Sequence, residues 1–154
     1  MNFRKSVICF AEGSNNIGMG HLYRQLSFYQ NYSNLIDFKF IAVNEIQKDF
    51  YKSFNCEYID ILAEECNQVF DFGIFDSKED VIDVFDKIKH LSKTWITVDS
   101  TKRWVKEFDY AVFPSFFASL ETIPMTLQKF DTKLLFGIEY VLTRKAHKRD
   151  NVNI

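Results

Sequence analysis

The sequence has 154 residues, of which 47% are hydrophobic, and 19 basic side chains stand against 21 acidic ones for a formal net charge of -2. This length supplies the core of one domain and excludes global disorder, and without a basic excess we expect no nucleic-acid or anionic-membrane partner. The three cysteines match neither a disulfide framework nor a zinc spacing, and no apolar run approaches the roughly 18 residues of a membrane span. We therefore expect a cytoplasmic protein without a metal or cofactor.

Apolar runs alternate with helical patterns along the chain. In chain order, the predicted elements are strand 5–11, helix 21–32, strand 38–43, helix 45–54, strands 57–62 and 69–75, helix 78–91, strand 95–98, a helical or irregular segment 102–108, and strands 110–113 and 133–136. Strands that are apolar throughout and alternate with helices indicate a mainly parallel sheet with helices on both faces. The prediction is an α/β, Rossmann-like domain over residues 1–144, followed by a polar tail at 145–154.

The segment EGSNNIGMGHLYR, residues 12–24, joins the first predicted strand to the first predicted helix. Gly18 and Gly20 let backbone amides approach an anion closely, and a helix start offers unsatisfied N–H groups with a partial positive charge. The string lacks the GK[ST] ending of a P-loop and the third glycine of GxGxxG. The pattern alone therefore fits a plain tight turn as well as it fits a nucleotide-binding loop.

Two side chains in this segment favour a chemical role. At the first turn of a helix the dipole disfavours the cationic imidazole, so a neutral His21 is suited to act as a general base. Arg24 lies three residues later on the same side of the helix, where it is suited to hold a phosphate or a carboxylate. Taken alone, each residue also fits a surface side chain without a function, which is the commoner case.

The strings IGMGHLYRQL, FDFGIFDS, TWITVDS and FGIEYVLTR follow one another between residues 17 and 144. Together they resemble the UDP-sugar hydrolases of pseudaminic acid biosynthesis, which are relatives of spore-coat polysaccharide proteins and of GT-B glycosyltransferases. The first string is similar to the IGxGHxxR signature of that family, the next two to its strands that end in an acid, and the last to its GxxYxLxR segment. The resemblance implies the N-terminal half of a GT-B fold.

The resemblance also implies an activity and a set of site residues. The substrate is a UDP-linked amino-deoxy sugar of surface-polysaccharide biosynthesis, and His21 is the base that activates water. The implied substrate-binding residues are Ile17, Gly18, Met19, Gly20, Arg24, Asp76, Asp99, Tyr140 and Arg144. For the last four of these residues, capping of strand ends or packing between domains explains their positions at least as well.

Three positions depart from the pattern of the family. Lys78 stands two residues after Asp76, where the family carries an aromatic hydroxyl, so one substrate-side contact is missing. Phe10 and Glu12 stand where the family carries an arginine and an aspartate. The acid is kept at the second of these positions, and the cation is lost at the first.

The resemblance leaves partners and function open in three ways. The family's enzymes have a second Rossmann-like half that holds most of the uridine diphosphate, which implies a separate second domain or a homo-oligomer as partner here. A glycosyltransferase-type domain shares this half of the fold. A non-catalytic binding module is a further alternative, with an exposed apolar face that includes Phe113, Phe116 and Phe117. A dinucleotide-dependent oxidoreductase is disfavoured, because Val43 and Asn44 stand where a ribose-binding acid is expected.

Overall fold

The computed structural model describes residues 4–14, 18–78, 81–100, 103–114 and 131–136. These residues form a parallel sheet with strands β1 (Lys5–Ala11), β2 (Ile36–Ala42), β3 (Tyr58–Asp60), β4 (Phe72–Asp76), β5 (Trp95–Val98), β6 (Tyr110–Phe113) and β7 (Lys133–Phe136). The helices are α1 (Gly20–Tyr32), α2 (Glu45–Ser53) and α3 (Ile82–Ile88), with short 3₁₀ helices at Lys89–Leu91 and Arg103–Glu107. The predicted α/β, Rossmann-like class with a parallel sheet is confirmed.

The strand order is β3-β2-β1-β4-β5-β6-β7. The chain therefore builds outward from β1 to β3 and then returns to place β4 on the other side of β1. Val7 of β1 lies beside Phe38 of β2 and beside Phe72 of β4 in the two registers. Where the order reverses, the connections after β1 and β4 leave in opposite directions, and sheets of this class bind their ligands in the crevice at the carboxyl ends of such strands.

Two apolar layers cover the faces of the sheet, because successive residues of a strand point to opposite sides. On one face, Cys9 of β1 packs in a cluster with Leu22 and Leu26 of α1 and with the α2 aromatics. On the other face, Phe10 of β1 stacks on Phe75 of β4, with ring centroids 4.7 Å apart, in the cluster that includes α3. The sheet is thus covered on both sides, as its apolar strands require.

Strands β1, β5, β6 and β7 have the predicted bounds, whereas β4 and α3 begin later than the sequence predicts. The carboxylate of Asp71 accepts a hydrogen bond from the Ser6 amide at 2.8 Å. This amide of β1 is therefore bonded by a side chain, whereas a β4 that began earlier would bond it through a backbone carbonyl. Helix α3 begins at Ile82 instead of residue 78. Serine is well suited to cap the start of a helix, but the Ser77 hydroxyl donates to the Glu12 carboxylate instead.

Several predictions from the sequence concern residues outside the described ranges. These are the polar tail at 145–154 and the residues Ile17, Tyr140, Arg144, Phe116 and Phe117. Phe113 is described, and it is buried with its ring stacked on Phe136 at a centroid distance of 5.6 Å. Among the described residues, no helix has both the length and the apolar composition that crossing a membrane requires.

Candidate functional site

The loop after β1 and the start of α1 form one wall of the crevice. Gly18 has a φ of 87°, in the left-handed region that glycine tolerates best, and its amide donates to the Ser14 carbonyl at 2.9 Å. Gly13 is needed for close approach, because a Cβ at this position would lie 2.3 Å from Cδ1 of Leu22. The glycines therefore let the loop turn back and allow α1 to begin directly at the edge of the sheet, at Gly20.

Asp76, the last residue of β4, is fully buried and holds three side chains of α1. His21 Nδ1 lies 2.6 Å from Oδ1, and Arg24 Nη2 donates to the same oxygen. Arg24 Nε donates to Oδ2 at 2.8 Å, and Gln25 Nε2 donates to Oδ2 at 2.7 Å. Residues at positions i, i+3 and i+4 share one face of a helix, so α1 presents all three side chains to one carboxylate.

The contacts of Asp76 fix its charge and the direction of its bond to His21. Burial opposes ionisation of this carboxyl, but the hydrogen bonds from His21 and Arg24 outweigh burial and hold its pKa below the usual range. An ionised carboxylate only accepts hydrogen bonds, so Nδ1 of His21 is the donor. Arg24 Nη2 lies 3.1 Å from Nδ1, and because both atoms are donors they converge on Oδ1 instead of bonding each other.

The remaining ring nitrogen, Nε2 of His21, is available for chemistry. In the neutral imidazole the proton on Nδ1 leaves a lone pair on Nε2. Within the described part of the chain, no residue forms a hydrogen bond with Nε2. A carboxylate that holds Nδ1–H also stabilises the imidazolium formed when Nε2 takes up a proton. The arrangement is that of a general base held by a buried acid.

A second carboxylate, Asp99, follows β5 on the other side of β4. Its φ of 57° is in the left-handed region, which aspartate tolerates better than most residues. Lys78 Nζ lies 2.9 Å from Oδ2, and Arg24 Nη1 lies 3.6 Å from the same oxygen. The Asp99 side chain is 32% exposed, so it remains within reach of a ligand in the crevice. Arg24 therefore bridges the two carboxylates, and both cations are balanced by acids.

Glu12, the first residue after β1, adds a buried acid to the same edge of the sheet. Its amide donates to the Asp76 carbonyl at 2.9 Å, which extends the β1–β4 pairing to the end of both strands. Its carboxylate accepts from the Ser77 hydroxyl. This bond satisfies a buried side-chain oxygen that would otherwise be costly to remove from water.

The structure brings together the described members of the predicted site. His21, Arg24, Asp76 and Asp99 are linked by direct contacts, and Gly18, Met19 and Gly20 lie beside them at the start of α1. Met19 packs against the core cluster beneath α1. The contacts of Asp76 and Arg24 are with protein groups, which favours a positioning role, and their assignment as substrate-binding residues stays a prediction.

Sequence reasoning missed Gln25 as a member of the site. The signal was present, because Gln25 is a polar residue on the apolar side of α1, next to Leu26 and three residues after Leu22. A polar side chain on a buried stripe needs a partner. The pairing of Lys78 with Asp99 had no such signal, since it joins the ends of two different strands.

Asn44 follows β2, at the position where a dinucleotide-binding domain is expected to carry a ribose-binding acid. Its side chain accepts from the Gln47 amide at 2.9 Å, which caps α2, and donates to the Gly13 carbonyl at 3.1 Å. The residue thus joins α2 to the loop after β1.

A separate pocket lies on the α3 side of the sheet, away from the crevice. Its lining includes Cys66, Lys87 and His90, and the exposed His90 has Nε2 3.4 Å from the Cys66 carbonyl. This imidazole has no carboxylate partner among the described residues. Of the two described histidines, therefore, His21 is the one held by an acid.

The described residues contain no group of three or more His, Cys, Asp or Glu side chains arranged to hold a metal ion. Comparison of the chain with protein families, with curated proteins and with solved structures found no match.

Proposed function

We propose that this chain is a cytoplasmic sugar-nucleotide-processing domain, with His21 as the general base that acts on a UDP-linked amino-deoxy sugar. The sequence resemblance supplies the substrate class, which is that of the hydrolases of pseudaminic acid and related surface-polysaccharide biosynthesis. One observation carries the chemistry: His21 Nδ1 lies 2.6 Å from the buried Asp76 carboxylate, at the crevice where ligands bind in this class of sheet.

The reaction that this geometry supports is hydrolysis at the anomeric carbon. Nε2 of His21 takes a proton from water while the water oxygen bonds to that carbon. The bond between the anomeric carbon and the diphosphate oxygen breaks, and its electron pair leaves with UDP. The products are the free sugar and UDP, and the ionised Asp76 stabilises the imidazolium until its proton returns to solvent.

The surrounding residues suggest how substrate charge is met. Arg24 and Lys78 already bond carboxylates, so they have little capacity left to neutralise a diphosphate. Backbone amides at the start of α1, which Gly18 and Gly20 allow to approach an anion closely, are suited to bind the diphosphate. Asp99 is suited to accept a hydrogen bond from a sugar hydroxyl. A second Rossmann-like domain or a second copy of this chain supplies further contacts to the uridine diphosphate in this proposal.

Hydrolysis of UDP sugars by the purified chain tests the proposal. The panel contains UDP-N-acetylglucosamine and UDP-linked amino-deoxy sugars, and chromatography measures the release of UDP. His21→Gln should lower the rate by at least about 100-fold, the lower range for loss of a general base. His90→Gln is the matched control, because it removes an exposed histidine remote from the crevice, and it should keep the wild-type rate.

Two results would count against this function. One is that no sugar nucleotide in the panel is bound or hydrolysed, and the other is that His21→Gln releases UDP as fast as the wild-type protein. Release of UDP that requires an added acceptor alcohol would replace the hydrolase assignment with a glycosyltransferase, in which the same base deprotonates the acceptor hydroxyl.

A further inference from the structure

Two buried polar side chains lie directly behind the candidate site, and the proposed reaction does not use them. Cys9 of β1 and Gln25 of α1 are each 1% exposed. The Cys9 Sγ atom lies 3.3 Å from Gln25 Oε1, and Gln25 Nε2 lies 2.7 Å from Asp76 Oδ2. Together with the 2.6 Å contact between Asp76 Oδ1 and His21 Nδ1, these bonds form one chain from β1 to the imidazole.

The chemistry of the groups gives each bond of this hydrogen-bond chain a single donor and a single acceptor. The ionised Asp76 carboxylate only accepts, so the Gln25 amide turns its NH₂ group toward Asp76 and its Oε1 toward Cys9. Burial, with a further contribution from the Asp76 charge, raises the pKa of the Cys9 thiol well above its usual value, so the thiol keeps the proton that it donates to Gln25 Oε1. The Asp76 carboxylate accepts the bond from Gln25 and also accepts from His21, which therefore carries its proton on Nδ1.

We propose that Gln25 and Cys9 are positioning residues, because their hydrogen bonds fix the orientation of the Asp76 carboxylate, and that this fixed carboxylate locks His21 in the tautomer whose lone pair is on Nε2. The importance of this lock for catalysis rests on the proposed function, whereas its effect on the tautomer does not. Packing alone gives no reason for an amide at this position, because a methionine would fill the same space between α1 and the sheet without a buried polar group to satisfy.

The variant Asp76→Asn tests the direction of the bonds in the hydrogen-bond chain. The NH₂ group of the introduced amide can replace either oxygen of Asp76. At the Oδ2 position it would face two donors, Arg24 Nε and Gln25 Nε2. At the Oδ1 position it would face one fixed donor, Arg24 Nη2, because His21 can change tautomer and accept. We therefore expect His21 to become predominantly the Nε2–H tautomer, as happens when the acid of a Ser-His-Asp triad becomes an amide. The ¹⁵N chemical shifts of the two ring nitrogens measure this change.

A second substitution should reverse the change. In Asp76→Asn/Gln25→Glu, the new carboxylate accepts from the amide of residue 76 and from the Cys9 thiol, so the oxygen of residue 76 faces His21 again. The Nδ1–H tautomer should return as the major form. The matched control is Asp76→Asn/Gln47→Glu, because Gln47 is an equally buried glutamine whose amide, within the described part of the chain, bonds only the backbone of Val43 and Ala11. This control should stay in the Nε2–H form.

Measurements that leave Asp76 intact keep the proposal testable where its variants do not fold. In the wild-type protein, the side-chain amide protons of Gln25 should exchange with solvent at least about 100-fold more slowly than those of the exposed Gln30. Cys9→Ala should speed this exchange and Cys9→Ser should preserve it. Cys56→Ala should leave it unchanged, since that buried thiol bonds the Phe54 carbonyl instead.

Four results would overturn the proposal. They are a wild-type His21 that is already Nε2–H, a tautomer that does not change in Asp76→Asn, a Gln25→Glu second substitution that has no more effect than Gln47→Glu, and an exchange rate of the Gln25 amide that Cys9→Ala leaves unchanged. None of these results depends on turnover. A protein that shows the expected tautomers but cleaves no UDP sugar would retain this hydrogen-bond chain and lose the proposed function.

Discussion

At the residue scale, Gly73 of β4 shows how a missing side chain determines the packing of the sheet. A Cβ at this position would lie 2.3 Å from Cε3 of Trp95. The indole has little freedom to move, because its Nε1 donates to the Lys89 carbonyl at 2.9 Å and its ring packs edge-on against Phe85. We expect Gly73→Ala to lower the free energy of unfolding by about 1 to 3 kcal/mol, the usual cost of overpacking a core.

Urea denaturation measures this loss, and Gly20→Ala is the matched control. Apart from its chain neighbours and the backbone of its own helix, no described atom lies within 4 Å of the Cβ that this control would add at the start of α1. Alanine is also favoured over glycine in a helix by up to about 1 kcal/mol, so the control should be neutral or slightly more stable. Equal midpoints for the two variants would show that Trp95 yields and that the close approach is not a constraint.

Four residues of the candidate site were predictable one by one, but Gln25 and the contacts among these residues were not. The glycine loop and the strand ends identified His21, Arg24, Asp76 and Asp99 from the sequence alone. Their contacts depend on β4 lying beside β1, which brings residues 55 positions apart to within 2.6 Å. The prediction that Arg24 holds a substrate anion did not anticipate that its guanidinium group already bonds a buried carboxylate of the same chain.

At the element scale, Asp76 joins α1 to β4, and this joint should depend on pH. The pKa of Asp76 is lower in the folded state than its ordinary value near 3.8. Its contribution to stability is therefore fully present above that ordinary value and is lost as the pH falls through the folded-state pKa. We expect the free energy of unfolding to decrease on acidification below about pH 4, by up to about 1.4 kcal/mol per pH unit for this one proton.

Unfolding by urea across the acid range checks the contribution of this joint. Asp76→Asn should flatten the dependence on pH, whereas Asp49→Asn, which changes an exposed acid of α2, should keep the wild-type slope. Part of the slope should remain, because hydrogen bonds from Lys48 and from the Ser6 amide also lower the pKa values of Asp60 and Asp71. An unchanged slope in Asp76→Asn would mean that this carboxyl titrates alike in the folded and unfolded states.

Element boundaries were predictable where local chemistry ends a strand. β5 stops before Asp99, β6 before Pro114 and β7 at residue 136, and these bounds agree with the sequence prediction. The bounds of β4 and α3 differ because side chains of distant segments intervene, through the Asp71–Ser6 and Ser77–Glu12 bonds. Such bonds depend on the folded arrangement, and no pattern within a local window encodes them.

At the scale of the whole molecule, the strand order places the candidate site at the most strongly held part of the sheet. β1 pairs along its length with β2 and β4, and its side chains contribute to both apolar layers. The crevice therefore opens at the end of a rigid centre, which suits a base that must keep its geometry. The alternation of strands and helices predicts such a sheet, while the position of β4 beside β1 becomes visible only in the structure.

This arrangement predicts a gradient of local stability across the sheet. β3 has three residues, pairs with β2 on one side, and is the edge of the described sheet. Short edge strands open through local fluctuations, whereas amides of a central strand exchange only when most of the molecule unfolds. In native-state hydrogen exchange, the amides of Ile8 and Phe10 should exchange at least about 100-fold more slowly than that of Ile59, a difference of about 2.7 kcal/mol in opening free energy. Comparable rates would mean that β1 opens together with the edge, and the base and its buried acid would then lack the rigid support on which the proposed chemistry depends.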